Sequence, residues 1–318
     1  MKRCFTIILN PISDNGNAKK KISQIEDFFS KKAANFNIIL TEGIGHAISI
    51  ADSYAQMPDQ VIVAAGGDGT SNEVINGLMQ NVHSSASLSM KQKSLQFGVL
   101  PIGRGNDFAF GAGIPGNLTE SMHLLLEGPL HPIDIGFVIG GDFPQGRYFG
   151  NGIGIGFDAI VGLEAAKMRY LHGMSSYLLA AMKTLIIRPK APTIEICYQN
   201  KKQIITPALI SIMNGKRMGG AFFMAPDGNM NDGLLNLAIT NQGTRISLLH
   251  AMTLYMKGKQ GLHKGTMTDS AEKISLKALS GSMTAHADGE TICIAGKTLE
   301  IKIFLSALQI ITMRKYNE

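Results

Sequence analysis

The sequence contains little cysteine, no tryptophan and few charged residues. Its three cysteines, Cys4, Cys197 and Cys293, are far apart, which excludes a disulfide framework or a paired-cysteine metal site and favours a reducing compartment. No apolar run reaches about 18 residues, so no membrane-spanning helix is predicted. Charged residues make up 17% and hydrophobic residues 45% of the chain, which excludes long disordered tracts because disorder needs low hydrophobicity.

Glycine and positive charge are in excess. Glycine supplies 36 of 318 residues, which indicates many tight turns or backbone that a ligand approaches closely. The net charge of +6 fits an anionic substrate or membrane surface, but proteins with neither share it. The eight histidines lack zinc-site spacing, and no basic–aromatic pattern predicts a nucleic-acid partner. The apolar stretch at 5–9 is too short for a signal peptide and is predicted to be a strand.

Residues 1–135 alternate between strand-like and helix-like patterns. The predicted strands cover 5–9, 36–40, 61–65 and 97–100, and the predicted helices cover 18–33, 46–55 and 71–79. Alternation with glycine-rich turns predicts a doubly wound parallel α/β domain. A polar Ser/Lys-rich stretch at 81–94 is predicted to be an exposed connection.

From about residue 134, short strand candidates follow one another with turn residues between them. They cover 133–139, 147–157, 193–198, 204–213, 234–240, 273–278, 282–287, 291–294 and 299–313. Such spacing predicts a mainly antiparallel sandwich or barrel. Two helices, at 163–187 and 244–257, interrupt the series.

The GGDGT motif at 66–70 lies between a buried strand and a predicted helix. Its glycines allow backbone N–H groups to face a phosphate, and the following helix directs its positive end to the same anion. Asp68 cannot bind phosphate directly, but it can hold Mg²⁺ or orient a nucleophilic hydroxyl. The alternative is a glycine-rich turn in which Asp68 caps a helix.

Two more polar loops, at 10–16 and 101–108, follow neighbouring predicted strands, and Thr41 follows a third. Each loop alone is consistent with an ordinary turn between strand and helix. Together with GGDGT they are predicted to meet at one edge of one sheet, because the carboxyl ends of parallel strands share an edge.

Taken together, these motifs resemble the diacylglycerol kinase catalytic domain, including bacterial lipid kinases and the sphingosine and ceramide kinases. The resemblance depends on NPxS at 10–13, GGDGTSNEV at 66–74 and GxGNDFA at 103–109, and it continues with DGLL at 232–235 and DGE at 288–290. GGDGT is shared with NAD kinases, whereas the GNDFA loop favours lipid kinases.

The resemblance implies an ATP-binding α/β domain of the NAD-kinase/phosphofructokinase type at 1–135, to which 305–318 return, and an antiparallel β-sandwich lipid-substrate domain at 136–304. It implies that ATP contacts Asn10, Pro11, Ile12, Ser13, Asp14, Thr41, Gly66, Gly67, Asp68, Gly69, Thr70, Ser71 and Asn72.

The resemblance also assigns two acidic loops in the second half. The loop at 229–234 matches the family's Mg²⁺ loop, with the Asp232 carboxylate and the carbonyls of Asn229 and Leu234 as ligands; otherwise it is an Asp-Gly turn. The DGE segment matches the catalytic element, with Glu290 as the base, Asp288 second and Asp68 assisting. Asp288-Gly289 also fits a hairpin turn, and both interpretations can hold.

Several positions depart from the family pattern. Asp14 stands where glycine is usual, and Phe110 where arginine is common. Asn231 and Asn236 stand where aspartate is frequent, so fewer carboxylates lie near the metal loop and weaker Mg²⁺ binding is expected. Arg104 replaces a usual Thr or Ser, and it either reaches an ATP phosphate bidentately or is a solvated side chain.

The leading hypothesis is an ATP- and Mg²⁺-dependent kinase for a diacylglycerol-like or sphingoid lipid, cytoplasmic and peripheral at the inner membrane face. Residues 165–190 either lie on that membrane, with cations toward lipid phosphates, or pack on their own domain. The alternatives are an NAD-kinase-like enzyme and a non-catalytic nucleotide- or lipid-binding protein. The sequence leaves open whether the chain forms a homo-oligomer.

Overall fold

The structure of the protein is a computed structural model. It describes residues 3–55, 57, 60–80, 95–167, 174–187 and 190–314. The polar connection predicted at 81–94 lies outside these residues. The chain divides into two compact units, of which unit 1 comprises 1–135 with 305–318, and unit 2 comprises 136–304.

Strands and helices alternate through the first part of the chain. They are β1 (Cys4–Leu9), α1 (Ile22–Lys31), β2 (Asn35–Leu40), α2 (His46–Tyr54), β3 (Gln60–Gly66), α3 (Asp68–Met79), β4 (Gln96–Pro101), α4 (Asp107–Gly111), α5 (Leu118–Glu127) and β5 (Leu130–Gly140). A 3₁₀ turn at Asn17–Lys21 precedes α1.

Strands dominate the rest of the chain. The elements are β6 (Phe143–Phe149), β7 (Gly152–Gly156), α6 (Phe157–Ala166), α7 (Met174–Ile187), β8 (Thr193–Tyr198), β9 (Lys201–Ile205), β10 (Pro207–Met213), β11 (Leu235–Asn241), α8 (Arg245–Met256), β12 (Thr266–Ala271), β13 (Lys273–Ser280), β14 (Met283–Ala287), β15 (Glu290–Gly296) and β16 (Thr298–Ile311). A 3₁₀ turn covers Gln260–Leu262. The sequence pattern does not predict α4, α5 or β12.

Unit 1 is built on a parallel sheet in the order β2-β1-β3-β4-β16. In β3, every residue from Val61 to Gly66 is buried, as expected of a central strand covered on both faces. The end of β16 joins the sheet where Gln309 and Ile310 pair with Gln96 and Phe97 of β4. The predicted doubly wound α/β fold is confirmed.

Unit 2 is the predicted antiparallel β-sandwich. One sheet has the order β12-β11-β10-β7-β14-β15, and the facing sheet includes β13, β8, β9 and the first part of β16. Apolar side chains from both sheets, such as Ile153, Ile212 and Leu276, form one buried core. Burial of these inward-facing residues is the main force that holds the two sheets together.

The prediction of a single strand at 147–157 is wrong, because the segment contains the end of one strand, a second strand and the start of a helix. β6 ends at Phe149 and β7 begins at Gly152. Between them, the backbone N–H groups of Gly150 and Asn151 donate to the Asp288 side chain rather than to a neighbouring strand. Gly156 has a φ of +82° and ends β7, and α6 follows it directly.

The single strand predicted at 204–213 is also divided. β9 ends at Ile205 and pairs with β8, whereas β10 begins at Pro207 and pairs with β7 and β11 in the other sheet. The chain therefore changes sheets at Thr206. An apolar run does not indicate which sheet its residues join, so the sequence pattern predicts a single strand.

The helix predicted at 163–187 is two helices, α6 and α7. Residues 168–173, between them, lie outside the described part of the chain, as do 188 and 189. Within the described residues, no helix has both the length and the hydropathy needed to cross a bilayer.

Candidate active site

In unit 1, the GGDGT loop and the loop after β4 are in direct backbone contact. The N–H groups of Ile102 and Gly103 donate to the Gly66 carbonyl, over 2.9 and 3.0 Å. A Cβ added to Gly103 would lie only 2.3 Å from the Cα of Gly67. Glycine at both positions therefore allows the two loops to approach each other.

Helix α3 begins inside the GGDGT motif. Its first residue is Asp68, not Ser71 as the sequence pattern predicts, and Gly67 precedes it in an extended conformation. The backbone N–H groups of the first turn therefore belong to the motif itself. These groups lack partners within a helix and carry its positive end, so they suit an anion.

Asp68 links this helix start to the next one. Its Oδ1 accepts the Phe108 N–H at the start of α4 over 3.0 Å. Asn106, which precedes α4, has a φ of +51°, and its Oδ1 accepts the Gly103 N–H over 3.0 Å. The GNDFA sequence thus shapes the loop that lies against GGDGT.

The first loop joins the same group through Asn10. Its Nδ2 donates to the Thr70 Oγ1 over 3.3 Å, and its Oδ1 accepts the Ile12 N–H over 3.1 Å. The intervening Pro11 and the following Ser13 lie in a turn, in which the Ser13 N–H donates to the Asn10 carbonyl. The structure therefore brings together all three loops that the sequence predicts to meet.

The Asp14 departure has a structural reason. Asp14, Asn15 and Gly16 all have positive φ, of 52°, 56° and 84°. Asp and Asn tolerate this left-handed conformation better than most residues, so the turn forms without glycine at position 14. Arg104 is exposed, and its guanidinium donates to the Asn15 Oδ1 over 3.0 Å. Arg104 thereby connects the first loop to the third.

Not every predicted ATP contact faces outward. Gly69 is exposed, and no atom lies within 4 Å of the position that a Cβ would take there. Thr70, Ser71 and Asn72 are buried. Their side chains therefore lie inside the fold rather than on its surface.

Glu73 is a residue of the SNEV segment whose role the sequence does not predict. Its two carboxylate oxygens accept the N–H groups of Gly45 and Ala47, over 2.9 and 3.1 Å, at the start of α2. A carboxylate at a helix N-terminus is favourable. The predicted site residue Thr41 follows β2, and its N–H donates to the Leu9 carbonyl over 2.9 Å.

In unit 2, the DGE segment forms a tight hairpin turn between β14 and β15. Ala287 pairs with Glu290, and the two residues between them, Asp288 and Gly289, have φ of 49° and 87°. A two-residue loop with both φ positive suits the twist of a hairpin and favours Asp-Gly. The hairpin interpretation of this motif is therefore correct.

The Asp288 carboxylate accepts three backbone hydrogen bonds. The N–H groups of Gly150, Asn151 and Gly152 donate to it over 2.7, 3.0 and 2.8 Å. Bonds from N–H groups to a charged acceptor are stronger than neutral ones. This carboxylate therefore fixes the hairpin to the bend between β6 and β7.

Glu290 has a different environment. Its carboxylate forms an ion pair with the guanidinium of Arg147, and its side chain is 29% exposed. The guanidinium also lies over the ring of Phe143, 5.1 Å from its centre. The sequence does not predict this contact of Arg147, because Arg147 lies in a different strand and no local pattern links it to Glu290.

The loop at 229–234 carries oxygen donors of the type that Mg²⁺ prefers. Asp232 is exposed, and its Oδ1 accepts the Leu234 N–H over 3.0 Å, so the loop includes the expected Asp-Gly turn. The Asn229 Oδ1 is buried and has no hydrogen-bond partner among the described residues. No group of three or more His, Cys, Asp or Glu suited to a metal occurs in the described part of the chain. The donor types fit Mg²⁺, with a single carboxylate.

Helices α7 and α8 expose apolar side chains. These are Leu178, Leu179, Met182, Ile186 and Ile187 on α7, and Ile246, Leu249 and Met256 on α8. The two helices touch where Arg245 donates to the Ile186 carbonyl over 2.9 Å. The cations of the segment 165–190 are Lys167, Arg169, Lys183, Arg188 and Lys190. Lys167 and Lys183 pair with Glu164 and lower its pKa to about 2, Lys190 is exposed, and Arg169 and Arg188 lie outside the described residues.

Known proteins share both parts of this architecture. A family model described as the diacylglycerol kinase catalytic domain matches residues 4–138, and one described as the YegS C-terminal NAD kinase beta sandwich-like domain matches residues 151–312. The diacylglycerol kinase of Bacillus subtilis (strain 168) is 30% identical over 295 residues, 91% of this chain and 90% of that protein. That of Staphylococcus saprophyticus is 26% identical over 293 residues, 91% of this chain and 90% of its own.

Solved structures show the same fold. A diacylglycerol kinase from Bacillus anthracis matches with a TM-score of 0.69 at 18% identity, over 98% of this chain and 97% of that one. Yeast NADH kinase matches with a TM-score of 0.52 at 10% identity, over 99% and 84%. Fold and motifs together define an enzyme of the kinase class. The chain belongs to the diacylglycerol kinase catalytic-domain family.

Proposed function

We propose that the protein is an ATP- and Mg²⁺-dependent kinase that phosphorylates the hydroxyl of a diacylglycerol-like or sphingoid lipid. The observation that carries the proposal is the meeting of three loops at the start of α3, in which Gly67 and Gly103 are in backbone contact and Asn10 bonds to Thr70. Family membership supports the lipid as the acceptor class.

In this proposal, unit 1 binds the phosphates of ATP. The N–H groups of the first turn of α3 face the phosphates, and exposed Gly69 lets them approach because it has no side chain. Arg104 has a fixed partner in Asn15, which holds a positive charge beside the first loop. Phosphoryl transfer depends mainly on such positioning and charge neutralisation.

Unit 2 supplies the proton acceptor, Glu290. The lipid hydroxyl oxygen forms a bond to the γ-phosphorus, the bond from that phosphorus to the bridging oxygen of ADP breaks, and the hydroxyl proton moves to the Glu290 carboxylate. The carboxylate is partly exposed, and its contact with the Arg147 guanidinium orients it. Asp288 serves the turn, since its carboxylate already accepts three N–H groups.

The Asp232 carboxylate and the backbone carbonyls of Asn229 and Leu234 would hold Mg²⁺ in the loop at 229–234. The exposed Asp232 carboxylate supports this assignment, and the buried Asn229 Oδ1, which has no hydrogen-bond partner in the part of the chain that the structure describes, offers one more oxygen in the same loop. Bound Mg²⁺ supplies positive charge that offsets the negative charge of the phosphates.

The membrane partner of this enzyme is proposed to meet the apolar surface of α7 and α8. Exposed Ile186, Ile187 and Ile246 lie where the two helices touch, beside the cation of Arg245. Apolar side chains next to a cation fit a surface of anionic lipid.

The direct test is transfer of labelled phosphate from ATP to a panel of lipids in mixed micelles, with NAD assayed beside them. Label in a diacylglycerol or sphingoid lipid, lost on chelation of Mg²⁺, is the expected result. Label in NAD alone would reject the lipid substrate in favour of an NAD kinase. Nucleotide binding without transfer to any acceptor would favour a binding protein.

The base assignment is tested with Glu290→Gln. We expect kcat to fall about 10²–10⁴-fold, because the amide cannot accept the proton, while the KM for ATP stays unchanged. Glu195→Gln is a matched control, since Glu195 is also in unit 2 and also pairs with a cation, Lys202 over 2.9 Å. Near-normal turnover of Glu290→Gln would show that another residue accepts the hydroxyl proton.

A further inference from the structure

A histidine and an aspartate form a buried pair next to the DGE hairpin. The His286 Nε2 lies 2.8 Å from the Asp158 Oδ2, and the two side chains are only 10% and 6% exposed. His286 is on β14, two residues before Asp288, and Asp158 is in the first turn of α6. The proposed reaction uses neither residue.

The other ring nitrogen of His286 contacts the hairpin turn. The Gly289 N–H donates to the His286 Nδ1 over 3.3 Å. Because Nδ1 accepts this bond, the ring proton is on Nε2, which donates to Asp158. One imidazole therefore connects a buried carboxylate to the residue that precedes Glu290.

The cross-strand neighbour leaves room for this pair. His286 pairs with Gly154 of β7. A Cβ on Gly154 would lie 2.2 Å from the Asp158 Oδ2 and 2.5 Å from the His286 Nε2. The carboxylate and the ring thus occupy the space that any larger residue at 154 would fill.

Gly289 needs such an anchor. It is the most flexible residue type, it has a φ of +87°, and no atom lies within 4 Å of the position that a Cβ would take there. The carboxylate of Asp288 fixes the first turn residue to 150–152, whereas the bond to His286 fixes the second.

We propose that Asp158 and His286 are positioning residues, which orient the Gly289 peptide and thereby hold the Glu290 carboxylate in place for proton transfer. The proposal rests on the proposed function of Glu290. It goes beyond that function because neither residue is part of the family motifs that identify the site.

Two substitutions separate the two bonds of the ring. The Oδ1 of Asn reaches the position of the His Nδ1, so His286→Asn keeps an acceptor for the Gly289 N–H. The Nε2 of Gln reaches the position of the His Nε2, so His286→Gln keeps the donor to Asp158 and loses the acceptor. We expect His286→Asn, which keeps the bond to Gly289 and loses the bond to Asp158, to lower kcat about 3-fold, and His286→Gln to lower it about 10-fold or more, with the KM for ATP unchanged in both.

His263→Asn is the matched control. His263 is another buried histidine of unit 2, and both of its ring nitrogens have partners at 3.0 Å, Ser247 and Thr266. We expect this variant to lose thermal stability but to keep kcat. Equal kcat for His286→Asn and His286→Gln, or a kcat that follows the melting temperature across all three variants, would overturn the proposal.

NMR of the Arg147 side chain distinguishes this proposal from the proposed function. The guanidinium signal reports the ion pair with Glu290 whether or not the protein phosphorylates a lipid. We expect the signal to shift in His286→Gln and to stay in place in His263→Asn. An unchanged Arg147 signal in His286→Gln would overturn the positioning role. A wild-type protein that labels no lipid would instead overturn the proposed function.

Discussion

Asp288 and Glu290 stand two residues apart in the same turn, and their partners distinguish them. Asp288 faces three backbone donors, whereas Glu290 faces the guanidinium of Arg147. A carboxylate that accepts several N–H bonds supports the fold, and a partly exposed carboxylate beside a cation is available for chemistry. Residue type alone does not separate these two cases.

Asp288→Asn is expected to destabilise the protein by about 2–3 kcal/mol, because the amide lacks the charge and its NH₂ group replaces one of the two accepting oxygens, so that at least one donor N–H loses its acceptor. Urea denaturation of the protein measures the change in the free energy of unfolding. Asp227→Asn, at an exposed aspartate, is the control and should be neutral. Unfolding of Asp288→Asn at the wild-type urea midpoint would show that the three bonds contribute little.

Gly69→Ala tests whether phosphate approaches the start of α3. The added methyl group meets no protein atom, so the free energy of unfolding should change by less than about 1 kcal/mol. The KM for ATP should rise about 10-fold or more, because the methyl group keeps the phosphates away from the N–H groups. Gly116→Ala also adds a methyl group in open space and should leave the KM unchanged. An unchanged KM for ATP in Gly69→Ala would indicate that the phosphates bind at another place in the protein.

At the scale of elements, α6 and α7 are two helices where a continuous apolar pattern predicts one. The pattern of 163–187 predicts one helix, and the structure has two. The helix α7 also keeps Ile186 and Ile187 exposed at its end. Burial against its own unit therefore does not account for every apolar side chain of this helix.

Ile186→Glu is expected to reduce binding to vesicles that contain anionic phospholipid by about 10-fold, since a buried Ile contributes about 1.5–3 kcal/mol. Sedimentation with vesicles measures the bound fraction. Ile204→Glu on β9 is the matched control, because Ile204 is 64% exposed and Ile186 is 63% exposed. Equal loss in both variants would argue against a specific role for α7.

At the scale of the whole molecule, buried tyrosines make stability depend on alkaline pH. Burial raises the pKa of Tyr255 to about 12, and its hydroxyl bonds to the Thr240 Oγ1 over 3.0 Å. Burial also raises the pKa of Tyr148 to about 12. The folded protein therefore holds these protons more tightly than the unfolded chain, whose tyrosines titrate near 10.

The stability that comes from this difference is present below pH 10 and is lost as the pH rises toward 12. For Tyr255 the loss between pH 9 and pH 11.5 should be about 2 kcal/mol, measured by urea denaturation at these two values. Tyr255→Phe should lose less between these two values, whereas Tyr54→Phe, at a half-buried tyrosine, should behave as wild type. Identical alkaline losses in all three proteins would rule out Tyr255 as a source.

The local sequence determined the parts of this protein that depend on neighbours along the chain. The buried run at 61–65, the glycines of GGDGT and the Asp-Gly of the hairpin each specify their own conformation, because burial pattern and positive φ are local properties. The α/β fold, the sandwich and the meeting of three loops were therefore predictable.

Contacts between distant residues were decided only by the tertiary structure. The bend at 150–151 depends on Asp288, the ion pair joins Arg147 to Glu290, and the buried pair joins Asp158 to His286. Each partner lies more than a hundred residues away, and pairing between antiparallel strands brings them together. Hydrogen bonds and ion pairs act over a few ångströms in space, so separation along the chain conceals them until the sheets have formed.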